Sequence, residues 1–197
     1  IWVDMAATGV DVLISAPQKG WSGSPCAGLV MLSKRGHARL METHSSSFAC
    51  DLRKWREIMH AYETGGHAYH ATMPTDALRT FRDVMLETEA YGFDKVMAEQ
   101  QELGTKVRAA LESRGVVSVA AAGFQAPGVV VSYTSDPEVK SGAKFAAAGM
   151  QIAGGVPLQV DEGDDFSTFR LGLFGLDKLH NVDRSVASLE AVFDRVL

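Results

Sequence analysis

The period of the hydrophobic positions changes several times along this chain, and each change predicts an element. Asp11-Val12-Leu13-Ile14-Ser15 is an almost unbroken apolar run behind Gly9, the pattern of a buried strand in a parallel sheet. Val3 to Thr8 before it is short and ambiguous. A loop rich in glycine, serine and proline runs from Pro17 to Pro25, and Ala27 to Ser33 reads as the next strand. Lys34, Arg35 and Arg39 suit a solvated helix, and Ser45-Ser46-Ser47 a loop. From Asp51, a good N-cap, Leu52, Trp55, Met59 and Tyr62 recur at helical spacing to about Glu63, and Gly65-Gly66 ends that helix.

His67 to Pro74 is an irregular segment rich in hydrogen-bonding side chains. Thr75 or Asp76 caps a long helical region whose apolar face runs through Leu78, Phe81, Met85, Phe93, Val96, Met97, Val107 and Leu111, with a weak point at Gly92. Beyond Gly115, a boundary, the pattern predicts strands over Val116 to Ala120 and Gly128 to Tyr133, and a helix over Lys140 to Gln151. A Gly154-Gly155 turn, a strand from Val156 to Val160, an acidic loop from Asp161 to Asp165 and a strand from Thr168 to Leu173 follow. Asn181 or Asp183 caps a last helix with Val186, Leu189, Val192, Phe193 and Val196 on one face. This alternation of strands and helices predicts an α/β fold.

Composition narrows the function classes. Of 197 residues, 46% are apolar and 22% charged, as in ordinary globular proteins. The net charge of −5 argues against a general nucleic-acid binder. No apolar run approaches the roughly 18–20 residues of a membrane span. Two cysteines are too few for a disulfide scaffold, and no signal-peptide pattern opens the sequence, so the cytoplasm is the expected compartment. Ile1-Trp2-Val3-Asp4 has no initiator Met and enters directly into structured-looking sequence, so a preceding N-terminal part is expected.

The candidate chemistry starts at Lys19, where the first strand ends in a glycine-rich loop. An amine that forms a Schiff base must first lose its proton, and neighbouring Gln18, Ser15, Ser22 and free backbone N–H groups suit a phosphate or carbonyl ligand. The plainer reading is a surface lysine. Arg170 lies in an otherwise apolar strand and needs an anion, either a substrate or a carboxylate of the Asp161 to Asp165 loop. Tyr69 and Thr72, taken alone, read as loop residues satisfying the backbone. His60, His67 and His70 have no matching ligand spacing, so no metal site is expected. Cys26 reads as a small packed residue.

Several segments together resemble a known family. Leu13-Ile14-Ser15-Ala16-Pro17-Gln18-Lys19-Gly20 resembles the lysine segment of class V aminotransferases, the alanine/serine–glyoxylate group. Asp51-Leu52-Arg53-Lys54-Trp55, Tyr69-His70-Ala71-Thr72-Met73-Pro74, Thr168-Phe169-Arg170-Leu171-Gly172-Leu173-Phe174-Gly175 and Asn181-Val182-Asp183-Arg184 resemble further segments of that group, in the same order. The resemblance implies a fold-type I, pyridoxal-phosphate-dependent transferase, of which this chain is the second half. On that basis residues 1–75 are the end of the large cofactor domain with its parallel or mixed sheet, 76–114 a connecting helical region and 115–197 the small C-terminal α/β domain.

The resemblance also implies roles. Lys19 is the Schiff-base lysine and proton carrier. Gln18 donates to the pyridoxal 5'-phosphate phosphate, and Tyr69 and Thr72 hold that of the neighbouring subunit, because the family builds its site across a homodimer. Arg170 grips the substrate α-carboxylate with its planar fork. Gly154-Gly155 resembles a turn near the substrate. The expected activity moves an amino group from a small amino acid, alanine or serine, to glyoxylate or a similar 2-oxo acid. The family's pyridine-nitrogen acid, stacking aromatic and phosphate loop fall upstream of Ile1, Asp4 lying too near Lys19 for the first of these. Two alternatives stand beside this activity. One is a cysteine desulfurase or other lyase of the same fold, which Gln18 before the lysine disfavours. The other is a non-catalytic, dimerising chain with an incomplete site.

Overall fold

The computed structural model describes residues 3–197, so the expected onset of structure at Ile1 and Trp2 lies outside the described residues. The chain divides into two compact units, residues 3–18 with 23–83, and residues 19–22 with 84–197.

The first unit opens with α1 (Met5–Thr8). The Asp4 carboxylate accepts from the N–H groups of Ala6 and Ala7 at 2.9 and 3.0 Å, and Gly9, at φ 69°, ends the turn. β1 (Val12–Ser15) pairs antiparallel with β2 (Leu29–Leu32), Val12 opposite Leu32 and Ser15 opposite Leu29. The expectation of a buried strand in a parallel sheet is therefore corrected. Among the described residues β2 is the one partner of β1, and Val12 and Ile14 are 49% and 72% exposed. The connecting loop folds back on itself, with Gly23 N–H donating to the Pro17 carbonyl at 2.9 Å, so β2 returns alongside β1. An apolar run specifies a strand but not the direction of its neighbour.

Two capped helices follow. Ser33 Oγ accepts from Gly36 N–H at 3.0 Å and donates to Asp11 at 2.6 Å, tying α2 (Lys34–Met41) to the approach to β1. Gly36 has to be glycine, because a Cβ there would lie 2.5 Å from the Asp11 carbonyl oxygen. Asp51 caps α3 (Leu52–Glu63) through Lys54 N–H at 3.1 Å, as expected. In α4 (Thr75–Tyr91) the first helical carbonyl acceptor is Pro74, which takes Leu78 N–H at 3.0 Å, so Thr75 and Asp76 occupy the first turn. Gly92, at φ 104°, separates α4 from α5 (Phe93–Glu112) where the sequence pattern weakens.

The second unit is built around α5 and a three-stranded sheet. β3 (Val129–Tyr133), β4 (Ala153–Gly154) and β5 (Thr168–Gly172) are antiparallel in the order β3-β5-β4. Arg170 of β5 therefore sits between Val131 and Ala153. Phe169 and Leu171, with Leu173 beyond the strand, face a core shared with Leu103, Val107 and Leu111 of α5. Phe193 of the last helix joins them, and the Phe145 ring lies 5.6 Å from that of Phe169 and 6.4 Å from that of Phe193. Polar groups of α5 fix the entry to β3. Gln100 donates to the Pro127 carbonyl at 3.1 Å, and Arg108 to those of Ala126 and Val129 at 2.5 and 3.2 Å. Burial lowers the Arg108 pKa from its ordinary value.

Four expectations in this unit are corrected. Residues 116–120 form a single bridge, Ser118 to Ser132, because the chain turns away through Gly123 at φ 86°. The helix expected over residues 140–151 is two short ones, α6 (Pro137–Ser141) and α7 (Ala143–Ala147), broken by Gly142 at φ 83°. Asp136 caps the first of them through Glu138 N–H at 2.8 Å. Gly154 is in an edge strand instead of a turn. Residues 156–160 are a loop, not a strand, because the Glu162 carboxylate gathers the N–H groups of Leu158, Gln159 (2.8 Å) and Val160 (2.7 Å). Gln159 and Asp161 take left-handed φ values of 61° and 63°, which no strand accommodates. After β5 come α8 (Leu176–Leu179) and α9 (Val182–Val196), the latter capped by Asn181 through Arg184 N–H at 2.9 Å.

Two measurements follow from this packing. Phe193→Ala removes a ring with no exposed surface, so urea unfolding should report a loss of about 3–5 kcal/mol. Backbone hydrogen bonds from Val160 and Gln159 lower the Glu162 pKa from 4.5 to about 2. A lowered folded-state pKa stabilises the loop above the unfolded value of 4.5, and that stabilisation is lost as pH falls through about 2. An NMR titration of the Glu162 carboxyl carbon should therefore have its midpoint near 2. A midpoint in the ordinary carboxylate range would show that the three N–H groups do not hold it.

Candidate functional site

Lys19 and Gln18 are exposed in the loop that leaves β1. The Lys19 carbonyl accepts from Ser22 N–H at 2.8 Å, closing a turn in which Ser22 takes a φ of 57°. Lys19 Nζ has no hydrogen-bond or ion-pair partner among the described residues, so its amine is not committed to a structural role. The turn rests in the second unit. Trp21 meets Phe93 edge-on with ring centroids 6.3 Å apart. Ser22 lies against Gly175, just past β5, where an added Cβ would come 3.1 Å from Ser22 Oγ. Gly175 has φ 111°, a conformation that favours glycine. The Lys19 turn and the end of the Arg170 strand are thus neighbours.

Arg170 is half-buried, and its Nε donates to the Gly154 carbonyl at 2.8 Å. That bond fixes the plane of the guanidinium and leaves both terminal nitrogens without a hydrogen-bond partner among the described residues. No carboxylate of the described residues forms an ion pair with it, and the Asp161 to Asp165 loop does not supply the structural anion considered from the sequence. A cation held in this way is prepared for a planar, two-oxygen anion.

In the first unit, Tyr69 OH and Thr72 Oγ1 lie 3.0 Å apart on the exposed segment before α4. Gln18 belongs to the same unit, but no hydrogen bond links it to either hydroxyl. The segment is pinned by His70. Its Nε2 meets the Phe48 carbonyl at 3.0 Å, and its ring lies 4.1 Å from that of Phe48 and 5.0 Å from that of Trp55. Trp55 Nε1 in turn donates to the Ala49 carbonyl at 2.7 Å. This supporting role for His70 was missed in the sequence, where nothing signals contact between residues 48, 55 and 70.

The remaining candidates are placed as follows. Asp4 is committed to capping α1. His67 stacks edge-on against Tyr62 at 5.8 Å. Cys26 is half-buried and Cys50 exposed, and both are free thiols. Among the described residues no group of three or more histidine, cysteine or acidic side chains is arranged to hold a metal, and no helix is long and apolar enough to cross a membrane.

The sequence matches no family model and no curated protein. The fold does match solved structures. Over 98% of its length the chain is similar to an alanine–glyoxylate aminotransferase from Nostoc sp., with a TM-score of 0.78 and 20% identity, covering 50% of that protein. It is similar to a subgroup IV aspartate aminotransferase from Thermus thermophilus over its whole length, at TM-score 0.77 and 23% identity, covering 52% of that chain. A ureidoglycine–glyoxylate aminotransferase from Bacillus subtilis gives a TM-score of 0.75 at 19% identity, over 99% of this chain and 50% of the other. The chain thus spans about half the length of the proteins it resembles, and over that span it has the fold of the class V, fold-type I aminotransferases.

Proposed function

We propose that this chain carries one half of a pyridoxal-phosphate-dependent aminotransferase site, acting on a small amino acid such as alanine or serine and on glyoxylate or a similar 2-oxo acid. The observation that carries the reading is the Arg170 guanidinium, anchored by Nε and open at both terminal nitrogens, on a strand after which Gly175 meets Ser22 in the turn of an uncommitted lysine. The fold it shares with aminotransferases supports it.

The residues present fit the cofactor. Tyr69 and Thr72 offer two adjacent exposed hydroxyls, and Gln18 an exposed amide, for a phosphate monoester. Lys19 offers a free amine for an aldehyde. The cofactor, when bound, supplies that aldehyde and a ring that delocalises the electrons released at the substrate α-carbon. Arg170 then clasps the α-carboxylate through its terminal nitrogens, and the Gly154 carbonyl keeps the fork from rotating. Lys19 Nζ, once unprotonated, would take the proton from the substrate α-carbon and pass it to the bound cofactor, which supplies the acceptor carbon. Tyr69 and Thr72 serve the phosphate of a neighbouring subunit in a homodimer, so neither subunit completes its site alone.

Borohydride reduction of the cofactor-loaded protein followed by peptide mass mapping should place the cofactor on Lys19. Lys19→Ala should lose it and reduce turnover by about 10²–10⁴-fold, whereas labelling of a different lysine would refute the assignment. Arg170→Lys should keep the cofactor but raise the donor KM roughly tenfold or more, since it forfeits a charge-assisted bidentate pair. Subunit mixing tests the shared site. Lys19→Ala and Tyr69→Phe/Thr72→Val proteins, each inactive, should recover roughly a quarter of wild-type activity when mixed, because half of the sites in each mixed dimer are intact. No recovery in proven mixed dimers would mean that each site is built within one subunit.

A further inference from the structure

A cavity of about 560 Å³ reaches β5 at Thr168, and is lined by Gly155 and Thr168 of the sheet side, by Lys140, and by Asp161, Glu162 and Asp164 of the loop that precedes β5. Its position follows from the strand register. Thr168 stands two residues before Arg170 on the same face of β5, about 6.6 Å along the strand. Gly155 follows the residue whose carbonyl holds Arg170 Nε. Gly155 has room for no side chain, because a Cβ would run into the carbonyl and hydroxyl of Thr168.

The wall of this cavity is built for polar contact. Thr168 is only 1% exposed, yet its hydroxyl has no hydrogen-bond partner among the described residues, and it lines the cavity. That hydroxyl is open to a ligand or water in the cavity. The loop opposite is held in shape by Glu162, whose carboxylate takes three backbone N–H groups. Asp161 and Asp164 have no hydrogen-bond or ion-pair partner among the described residues. Lys140 is likewise unpaired among them. Three carboxylates thus face one ammonium, and Lys140 can neutralise at most one of them, so the cavity keeps a negative potential.

We propose that this cavity receives the side chain of the amino donor and selects one that ends in a cation, an ammonium or a guanidinium, accepted by Asp161 and Asp164 with Thr168 Oγ1 as a further acceptor. The inference rests on the reading of Arg170 as the α-carboxylate clamp. It keeps that clamp and puts a cationic donor in place of the small one. A ligand anchored at Arg170 and running along β5 toward Thr168 covers a span comparable with an extended ornithine or arginine side chain. An acidic side chain on the same path meets like charge.

Half-reaction kinetics across ornithine, arginine, alanine and glutamate test this, with the cofactor-loaded wild type and an Asp161→Asn/Asp164→Asn variant. Asparagine tolerates the left-handed backbone at position 161 and preserves size. The wild type should prefer ornithine or arginine over alanine, with glutamate poorest. The variant should lose about tenfold or more in kcat/KM for the cationic donors, keep alanine within about twofold, and improve with glutamate. Thr168→Val should lower the cationic donors alone, by a smaller factor. Turnover of alanine without preference for cationic donors, or a variant that leaves ornithine unchanged, overturns the cavity assignment and leaves Arg170 as the clamp. Failure of the wild type to process any α-amino acid overturns both.

Discussion

The alternation of side chains along β5 is the constraint on which the second unit depends. Successive residues point to opposite faces, so Phe169 and Leu171 enter the core with Phe145 and Phe193 while Thr168 and Arg170 are delivered to the other side. The strand is central, paired to β3 along its length and to β4 across Phe169 and Arg170, so its register cannot slip without exchanging the two faces. Burial of the rings thereby orients a cation. The Gly154 carbonyl removes the remaining freedom by holding Arg170 Nε. Further back, Gln100 and Arg108 hold the chain entering β3, which in turn fixes the strand opposite Arg170.

Much of the fold was legible because its signals are local. Asp51 and Asn181 cap helices where expected, and Gly92 breaks the long helical region where the pattern weakens. The misreadings arise where a local pattern has two physical outcomes. The alternating Val156, Leu158 and Val160 suit a strand, but the Glu162 carboxylate offers the N–H groups of Leu158, Gln159 and Val160 a competing partner. Gly142 ends one helix and begins another because its left-handed φ breaks the helical path, and an isolated glycine in a helical pattern does not announce that. The direction of the β1–β2 pairing depends on how a loop closes rather than on the strands it joins.

The site was legible in a different way. Composition and spacing marked Lys19 as a lysine in a glycine-rich loop and Arg170 as a cation in an apolar strand, each with a plainer explanation at hand. Their connection came from the resemblance, and the structure adds a physical link between them, since the Lys19 turn packs through Ser22 against Gly175 at the end of the Arg170 strand. It also removes one plainer explanation, because the acidic loop does not pair with Arg170. The role of His70 in pinning the Tyr69–Thr72 segment was invisible, since it depends on Phe48 and Trp55 brought together only by folding.

The central claim is that Arg170 is held open for a substrate carboxylate that reacts at Lys19. A crystal structure with pyridoxal phosphate and an unreactive α-carboxylate ligand tests it most directly. The account predicts the carboxylate bound by both terminal nitrogens of Arg170, with Nε still on the Gly154 carbonyl and Lys19 Nζ directed at the cofactor. A carboxylate bound elsewhere, with the Arg170 fork turned onto a protein carboxylate, would contradict it.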